Sequence, residues 1–243
     1  MRMAKKRIAA PWEVTADMYL SETEVVDLLQ HVRNAELDSA DSQHRRAAVD
    51  RLIIELLLYS GIRNSELCHL CIADTIVGHG QQELRISSTP KEARSVSVPK
   101  SLCDLIRHYV REIRSAYVDD ERSSNDPSQP LVLNERGKAY DRTALYRRVV
   151  RILTEAGLED RASVQLLRHT YGYLAYKRTG GNLLFVQQQL GHAHPMVTAV
   201  YAQFVEFSYA ALADQVGLEP SSNMPREPAR HKSKSSRKKG TVQ

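Results

Sequence analysis

The sequence predicts a mainly α fold with one small β-hairpin. Two observations carry this. Apolar residues recur at helical spacing behind good N-cap residues along most of the chain, whereas two-residue alternation is confined to ELRIS (83–87) and SVSV (95–98), which flank a polar turn. The 243 residues suffice for one large domain with a substantial core. No apolar run approaches the ~18 residues that a membrane span needs, and the basic start lacks the apolar centre of a secretory signal. A cytoplasmic protein without membrane association is therefore expected. The three cysteines, Cys68, Cys71 and Cys103, are an odd number in a long chain, so a disulfide framework is not expected.

The elements follow in order. Residues 1–18 read as a basic, flexible arm. Ser21 and Glu24 form a capping-box pair, and Val25, Val26, Leu28, Leu29 and Val32 continue the first helix. A polar stretch near Asp38–Ser42 precedes a second helix from about Gln43 to Ser60. Its run LIIELLL predicts burial, and Gly61 ends it. Asn64 begins a short helix, SELCHL. The hairpin follows, stopped by Pro99, and then a helix from about Lys100 to Tyr117. Residues 119–130 read as an exposed connection. Asp141 caps a basic helix reaching about Gly157. Ser163 caps another that ends at Gly180-Gly181, and Asn182 caps one running to Leu190. A short helix starting near His194-Pro195 carries Tyr201. A last amphipathic helix spans about 205–216, and the segment 220–243, rich in Pro, Ser, Lys and Arg, is expected to be disordered.

Charge is distributed unevenly. Residues 1–10 hold four basic side chains and no acid, and residues 220–243 hold seven and one acid, so the net charge of +5 leaves the body of the chain slightly acidic. The high pI therefore reports two basic ends. A nucleic-acid surface on the body has to come from local clusters.

Four short segments carry candidate chemistry: Gly61-Ile62-Arg63-Asn64-Ser65-Glu66-Leu67; Lys91 in the hairpin turn, eight residues before Pro99; Gln165-Leu166-Leu167-Arg168-His169-Thr170; and Leu190-Gly191-His192, with Tyr201 nine residues beyond the histidine. Breaking a phosphodiester needs a nucleophile, cations for the non-bridging oxygens, and a proton for the leaving oxygen. A tyrosine, with a pKa near ~10, needs cations nearby to act as phenolate. Arginines grip phosphate in bidentate fashion, and a lysine suits proton donation.

In order and spacing, from about Tyr19 to Val216, these segments resemble the catalytic domain of the tyrosine recombinase (phage integrase) family. Each motif alone is weak; the ordered set is specific. The resemblance implies the DNA breaking-rejoining fold of that domain, over residues 19–219. It implies that Arg63 and Arg168 clamp the scissile phosphate, that Lys91 is the general acid, that His192 bonds or positions the phosphate, and that Tyr201 forms a 3′-phosphotyrosyl link. It further implies double-stranded DNA as substrate, a homo-oligomer, a tetramer, on paired sites, and no cofactor or metal. Two departures stand out. The family has histidine three residues before the second arginine, where this chain has Gln165. Glutamine donates a hydrogen bond but does not shuttle a proton, so slower cleavage is expected. The resemblance also implies an N-terminal helical domain that closes around DNA, where only some 18 residues precede the domain here; either the basic ends replace part of that grip, or a partner supplies it, or the chain is a truncated or minimal recombinase.

Taken singly, several positions have plainer explanations. Arg63 would be a surface arginine at a helix start, Arg168 a structural salt-bridge partner, His192 a helix cap and Tyr201 a core tyrosine; the joint pattern overrides that. It does not do so for His169, read as a structural histidine, or for His194, read as a helix cap. Glu66 reads as a buried partner for Arg63. Cys68-His69-Leu70-Cys71 lacks the second ligand pair that a structural zinc site requires. Candidate contacts to the DNA backbone are Arg94, Arg142, Arg147, Arg148 and Arg151, of which Arg147 and Arg151 share a helix face, and the tail residues Lys232, Lys234, Arg237, Lys238 and Lys239. Two other functions fit the same residues: a type IB topoisomerase-like relaxase, and a catalytically weak DNA-binding accessory protein.

Overall fold

The computed structural model of the chain describes residues 13–78, 80–87, 93–118, 126–206, 208, 210 and 213. The described residues up to Val205 form one compact unit; of a second, 206–243, only Glu206, Ser208, Ala210 and Ala213 are described. Seven of the twelve residues of the helix expected over 205–216, and the whole basic tail, thus lie outside the described residues.

The capping box forms as predicted: Ser21 Oγ accepts from the Glu24 amide and Glu24 accepts from the Ser21 amide at 2.7 Å, starting α1 (Glu22–Leu37). Helix α2 (Asp41–Ser60) is the centre of the molecule. Leu52, Ile53, Ile54, Leu56, Leu57 and Leu58 are all buried, so apolar side chains leave the helix in every direction. Each such side chain contributes roughly 1.5–3 kcal/mol. Buried Glu55 is met by Arg33 at 2.9 Å and Arg51 at 3.0 Å.

Gly61 closes α2 in the left-handed conformation, φ 62°. A Cβ there would come within 2.4 Å of the Tyr171 ring, so both the turn and the packing require glycine. The chain then enters α3 (Asn64–His69). The sheet has three antiparallel strands in sequence order, β1 (Thr75–Ile76), β2 (Glu83–Ser87) and β3 (Ala93–Ser97). The hairpin is as predicted, with β3 starting two residues earlier. Strand β1 has no counterpart in the sequence expectations, because two residues carry no periodic signal. Leu84 lies opposite Val96 and Ile86 opposite Arg94. Directly opposed residues share a face, so Arg94 points the same way as the buried Ile86.

The helix expected over 100–117 is α4 (Lys100–His108), followed by a π turn, Tyr109–Ile113, and a 3-10 turn, Arg114–Tyr117. Tertiary contacts override the regular spacing here. The Tyr109 hydroxyl accepts from the Leu133 amide, and buried Arg114 donates to the Pro130 carbonyl at 2.9 Å. Helices α5 (Arg142–Glu155), α6 (Val164–Arg178) and α7 (Leu183–Leu190) have the predicted caps: Asp141, Ser163 and Asn182 each accept from first-turn amides. Helix α8 (Pro195–Ala199) ends before Tyr201, which stands in the turn that follows.

The main core surrounds α2. A second cluster joins Val14, Tyr171, Tyr176, Val186, Leu190 and Tyr201, with Tyr19 and Phe204 packed against it. Val14 also receives a hydrogen bond on its carbonyl from Gln203 at 2.7 Å. The expected arm is therefore already packed at Val14, because an apolar side chain there has this second cluster to enter.

Candidate active site

Four of the sequence-predicted residues converge where the end of α2, the middle of α6 and the end of α7 meet. Arg63 sits at the N-cap of α3, fixed by its own amide, which donates to Glu66 at 2.7 Å. Its guanidinium donates to Glu66 at 2.8 Å and to the Gly191 carbonyl at 3.1 Å, and is 44% exposed. Arg168, on α6, is buried and donates to the Gly61 carbonyl and, at 2.6 Å, to the Leu190 carbonyl. Two consecutive carbonyls at the C-terminal end of α7 therefore orient the two arginines. Helix carbonyls left without intrahelical partners, at the negative end of the helix dipole, favour cations in this position.

Glu66 is the counter-charge. Burial opposes its ionised form, but Arg94, the Arg63 amide and the Arg63 guanidinium outweigh that and hold its carboxyl at about 2. Arg94 grips it through both terminal nitrogens, at 2.7 and 2.9 Å. Three guanidiniums thus surround one carboxylate, two of them bonded to it directly. Burial, reinforced by the like charge of Arg63, pulls Arg168 down to about 10. The pocket carries surplus positive charge on partly desolvated donors, and a bound anion would relieve it.

His192 follows Gly191. Its Nδ1 lies 2.9 Å from the hydroxyl of buried Thr198, and its backbone is tied to Gln187 in both directions. Burial, then Arg168 and Arg63, lower it to about 4, so it is neutral at neutral pH. Tyr201 is only 2% exposed. Its ring lies against Gly172 on α6, and its hydroxyl is 3.0 Å from Nδ1 of His169. Burial pushes the phenol up to about 12, while Arg168 works in the opposite direction.

Gln165 is one turn before His169, with its amide nitrogen 3.0 Å from Nε2 of that ring. The glutamine that departs from the family pattern is therefore connected to Tyr201 through His169, a residue that its sequence context marks only as structural. The adjacency of Arg168 and His169 places it near the site, but only the i, i+4 geometry of α6 shows that it meets both Gln165 and Tyr201.

Lys91 and the tail residues Lys232, Lys234, Arg237, Lys238 and Lys239 lie outside the described residues. Three arginines expected as DNA contacts are placed differently. Arg94 is turned onto Glu66 inside the pocket, as its register opposite Ile86 requires. Arg148 is buried, donating to Asp50 at 2.6 Å, to Tyr140, to Glu135 and to the Arg46 carbonyl. Arg151 is half-buried between Asp50 and Glu155, at 2.8 Å from each. A run of arginines on one helix does not reveal which of them face α2; the position of Asp50 decides it. Arg142 and Arg147 are exposed on α5.

Residues 18–206 match the model of the phage integrase family. The chain is 25% identical over 182 residues to tyrosine recombinase XerH of Helicobacter pylori, covering 72% of this chain and 48% of that one. It is 30% identical over 152 residues to XerC of Thermodesulfovibrio yellowstonii, covering 63% and 49%. Among solved structures, XerH bound to its difH substrate in a pre-cleavage complex matches with a TM-score of 0.65 and 24% identity, over 85% of this chain and 55% of that one. XerA recombinase matches with a TM-score of 0.60 and 22% identity, over 88% and 65%. The chain spans about half the length of the curated relatives it matches, and its fold is that of a tyrosine recombinase catalytic domain. Since the family match runs from Met18 past Tyr201, through every element that builds the pocket, the chain belongs to the phage integrase family.

Proposed function

We propose that the protein is a site-specific recombinase that cleaves and rejoins duplex DNA through a covalent link on Tyr201. The observation that carries this reading is the cation-rich pocket, in which Arg63, Arg94 and Arg168 surround the single carboxylate of Glu66 beside a tyrosine hydroxyl. A phosphodiester supplies the missing anion. The guanidiniums of Arg63 and Arg168 would bind its non-bridging oxygens, and neutral His192 would donate a hydrogen bond to it. The Tyr201 oxygen would then attack phosphorus. The bond from phosphorus to the 5′ oxygen breaks, leaving a 3′-phosphotyrosyl link and a 5′ hydroxyl, whose proton comes from Lys91. Because the covalent link conserves the bond energy, a 5′ hydroxyl of another strand reverses the step. Exchange between duplexes requires copies of the chain on two sites, so a tetramer on double-stranded DNA is part of this proposal. Relatives named XerH, XerC and XerD support the reading.

The test uses the full chain and a library of nicked duplexes of randomised sequence, in which cleavage releases a short strand and traps the protein. The expected result is a covalent adduct on a denaturing gel with wild type and none with Tyr201→Phe. No adduct across the library would overturn the proposal. An adduct formed equally on all sequences would favour a relaxase over a recombinase.

A further inference from the structure

We propose that His169 is a further catalytic residue, which accepts the phenolic proton of Tyr201 as the bond to phosphorus forms, and that Gln165 is the positioning residue that sets its tautomer. This rests on Tyr201 being the nucleophile. The geometry is a chain of three side chains on and against α6, in which His169 and Tyr201 are buried and Gln165 is exposed. Gln165 meets Nε2 of His169 at 3.0 Å, and Nδ1 of the same ring meets the Tyr201 hydroxyl at 3.0 Å.

The two ring nitrogens of a neutral imidazole have opposite roles, one donating and one accepting. The carboxamide of Gln165 therefore decides what His169 offers to Tyr201. With its nitrogen toward Nε2, the amide donates, the ring proton sits on Nδ1, and His169 donates to the phenol oxygen. A half-turn of the carboxamide presents its oxygen instead. The ring proton then sits on Nε2, and bare Nδ1 accepts from the phenol. After the transfer both nitrogens carry protons. Nε2–H is held by the Gln165 oxygen, and Nδ1–H faces the oxygen now bonded to phosphorus. In the reverse step His169 returns that proton to the departing phenolate. No other co-reactant is required. A glutamine at this position, unable to carry a proton itself, acts through the histidine that can.

The charges around His169 tie the transfer to substrate. Burial and the adjacent Arg168 disfavour the imidazolium. Tyr201 and neutral His192 face it from the turn after α8 and the end of α7. Asp17, Asp160 and Arg161 line, with Gln165 and His169, a cavity of about 420 Å³ on its other side. A phosphate held by Arg168 offsets the repulsion from that guanidinium, so the ring becomes a better base only when substrate is bound.

The trapping library tests this through the pH dependence of adduct formation. Wild type should show a rate that rises with pH as His169 loses its proton. His169→Gln should lower the rate by about 100-fold and abolish that rise. Gln165→Glu places a carboxylate against Nε2, stabilises the imidazolium, and should shift the rise to higher pH. His169→Gly should regain rate when free imidazole is added, a result that a folding defect would not give. A wild-type adduct whose pH profile is unchanged in His169→Gln overturns this inference and leaves the nucleophile in place. Absence of any wild-type adduct removes the nucleophile itself, and this inference with it.

Discussion

The Tyr201 ring is seated on Gly172: a Cβ at that position would lie 2.3 Å from the ring carbon that bears the hydroxyl. Alanine inside a helix is ordinarily more stable than glycine by up to about 1 kcal/mol. Here the sign should reverse. The added methyl group must displace the ring, and overpacking of this kind costs about 1–3 kcal/mol. Gly172→Ala is therefore expected to lower unfolding stability in urea and to lengthen the contact between Tyr201 and His169. A variant as stable as wild type, or more stable, would show that the phenol is not held against α6.

Glu66 makes a second prediction, with a defined pH window. Its folded pKa of about 2 lies below the ordinary 4.5, so the unfolded chain binds its proton more readily. The stabilisation is present above about 4.5 and is lost as pH falls toward 2, with a size of about 3 kcal/mol. The difference in stability between wild type and Glu66→Gln should be largest near neutral pH and shrink through that window. Chemical denaturation at a series of pH values measures it. A difference independent of pH would mean that the ionised carboxylate is not what holds Arg63 and Arg94.

Much of this arrangement is legible in the sequence, for physical reasons that differ by residue. Ser21, Asp141, Ser163 and Asn182 announce their helices because a cap is a local interaction within four residues. Arg63, Arg168, His192 and Tyr201 are legible only as a spaced set, since each alone has a plain structural explanation. What is illegible depends on neighbours distant in sequence. Arg148 resembles any exposed helix arginine until Asp50 is placed beside it, 98 residues away. His169 reads as structural because its partners lie four residues before it and 32 after it, and only folding brings the latter close. The break in the helix after His108 has the same origin, in contacts to residues 130 and 133.

Arg168 should not tolerate lysine. Its planar fork reaches the Gly61 and Leu190 carbonyls at once, whereas an ammonium on a flexible stem matches neither that spacing nor the bidentate grip on phosphate proposed for Arg168. Arg168→Lys is expected to slow adduct formation by about 10²–10³-fold. It should also reduce the thermal stabilisation that sulfate gives to wild type. If sulfate stabilised both proteins equally, Arg168 would be structural only, and the anion would bind elsewhere.

The arginines of α5 allow the proposed DNA role to be tested apart from a folding role on a single helix. Arg147 is exposed, and phosphate binding is its proposed function, shared with Arg142 and the basic tail. Arg148, the next residue, is committed to Asp50 and Glu135. Arg147→Ala should leave unfolding unchanged, weaken binding to any duplex, and reduce the salt slope of binding by about 1. Deleting residues 221–243 should flatten that slope further, because a protein that neutralises fewer phosphates releases fewer counterions from the duplex. Arg148→Ala should do the opposite. It leaves Asp50 short of one cation and should cost about 3–5 kcal/mol of stability, with the salt slope of the surviving folded protein unchanged. Binding isotherms at several salt concentrations, read beside denaturation curves, distinguish the two. A salt slope that fell for Arg148→Ala and not for Arg147→Ala would place the DNA-facing side of α5 opposite to where its exposed arginines point.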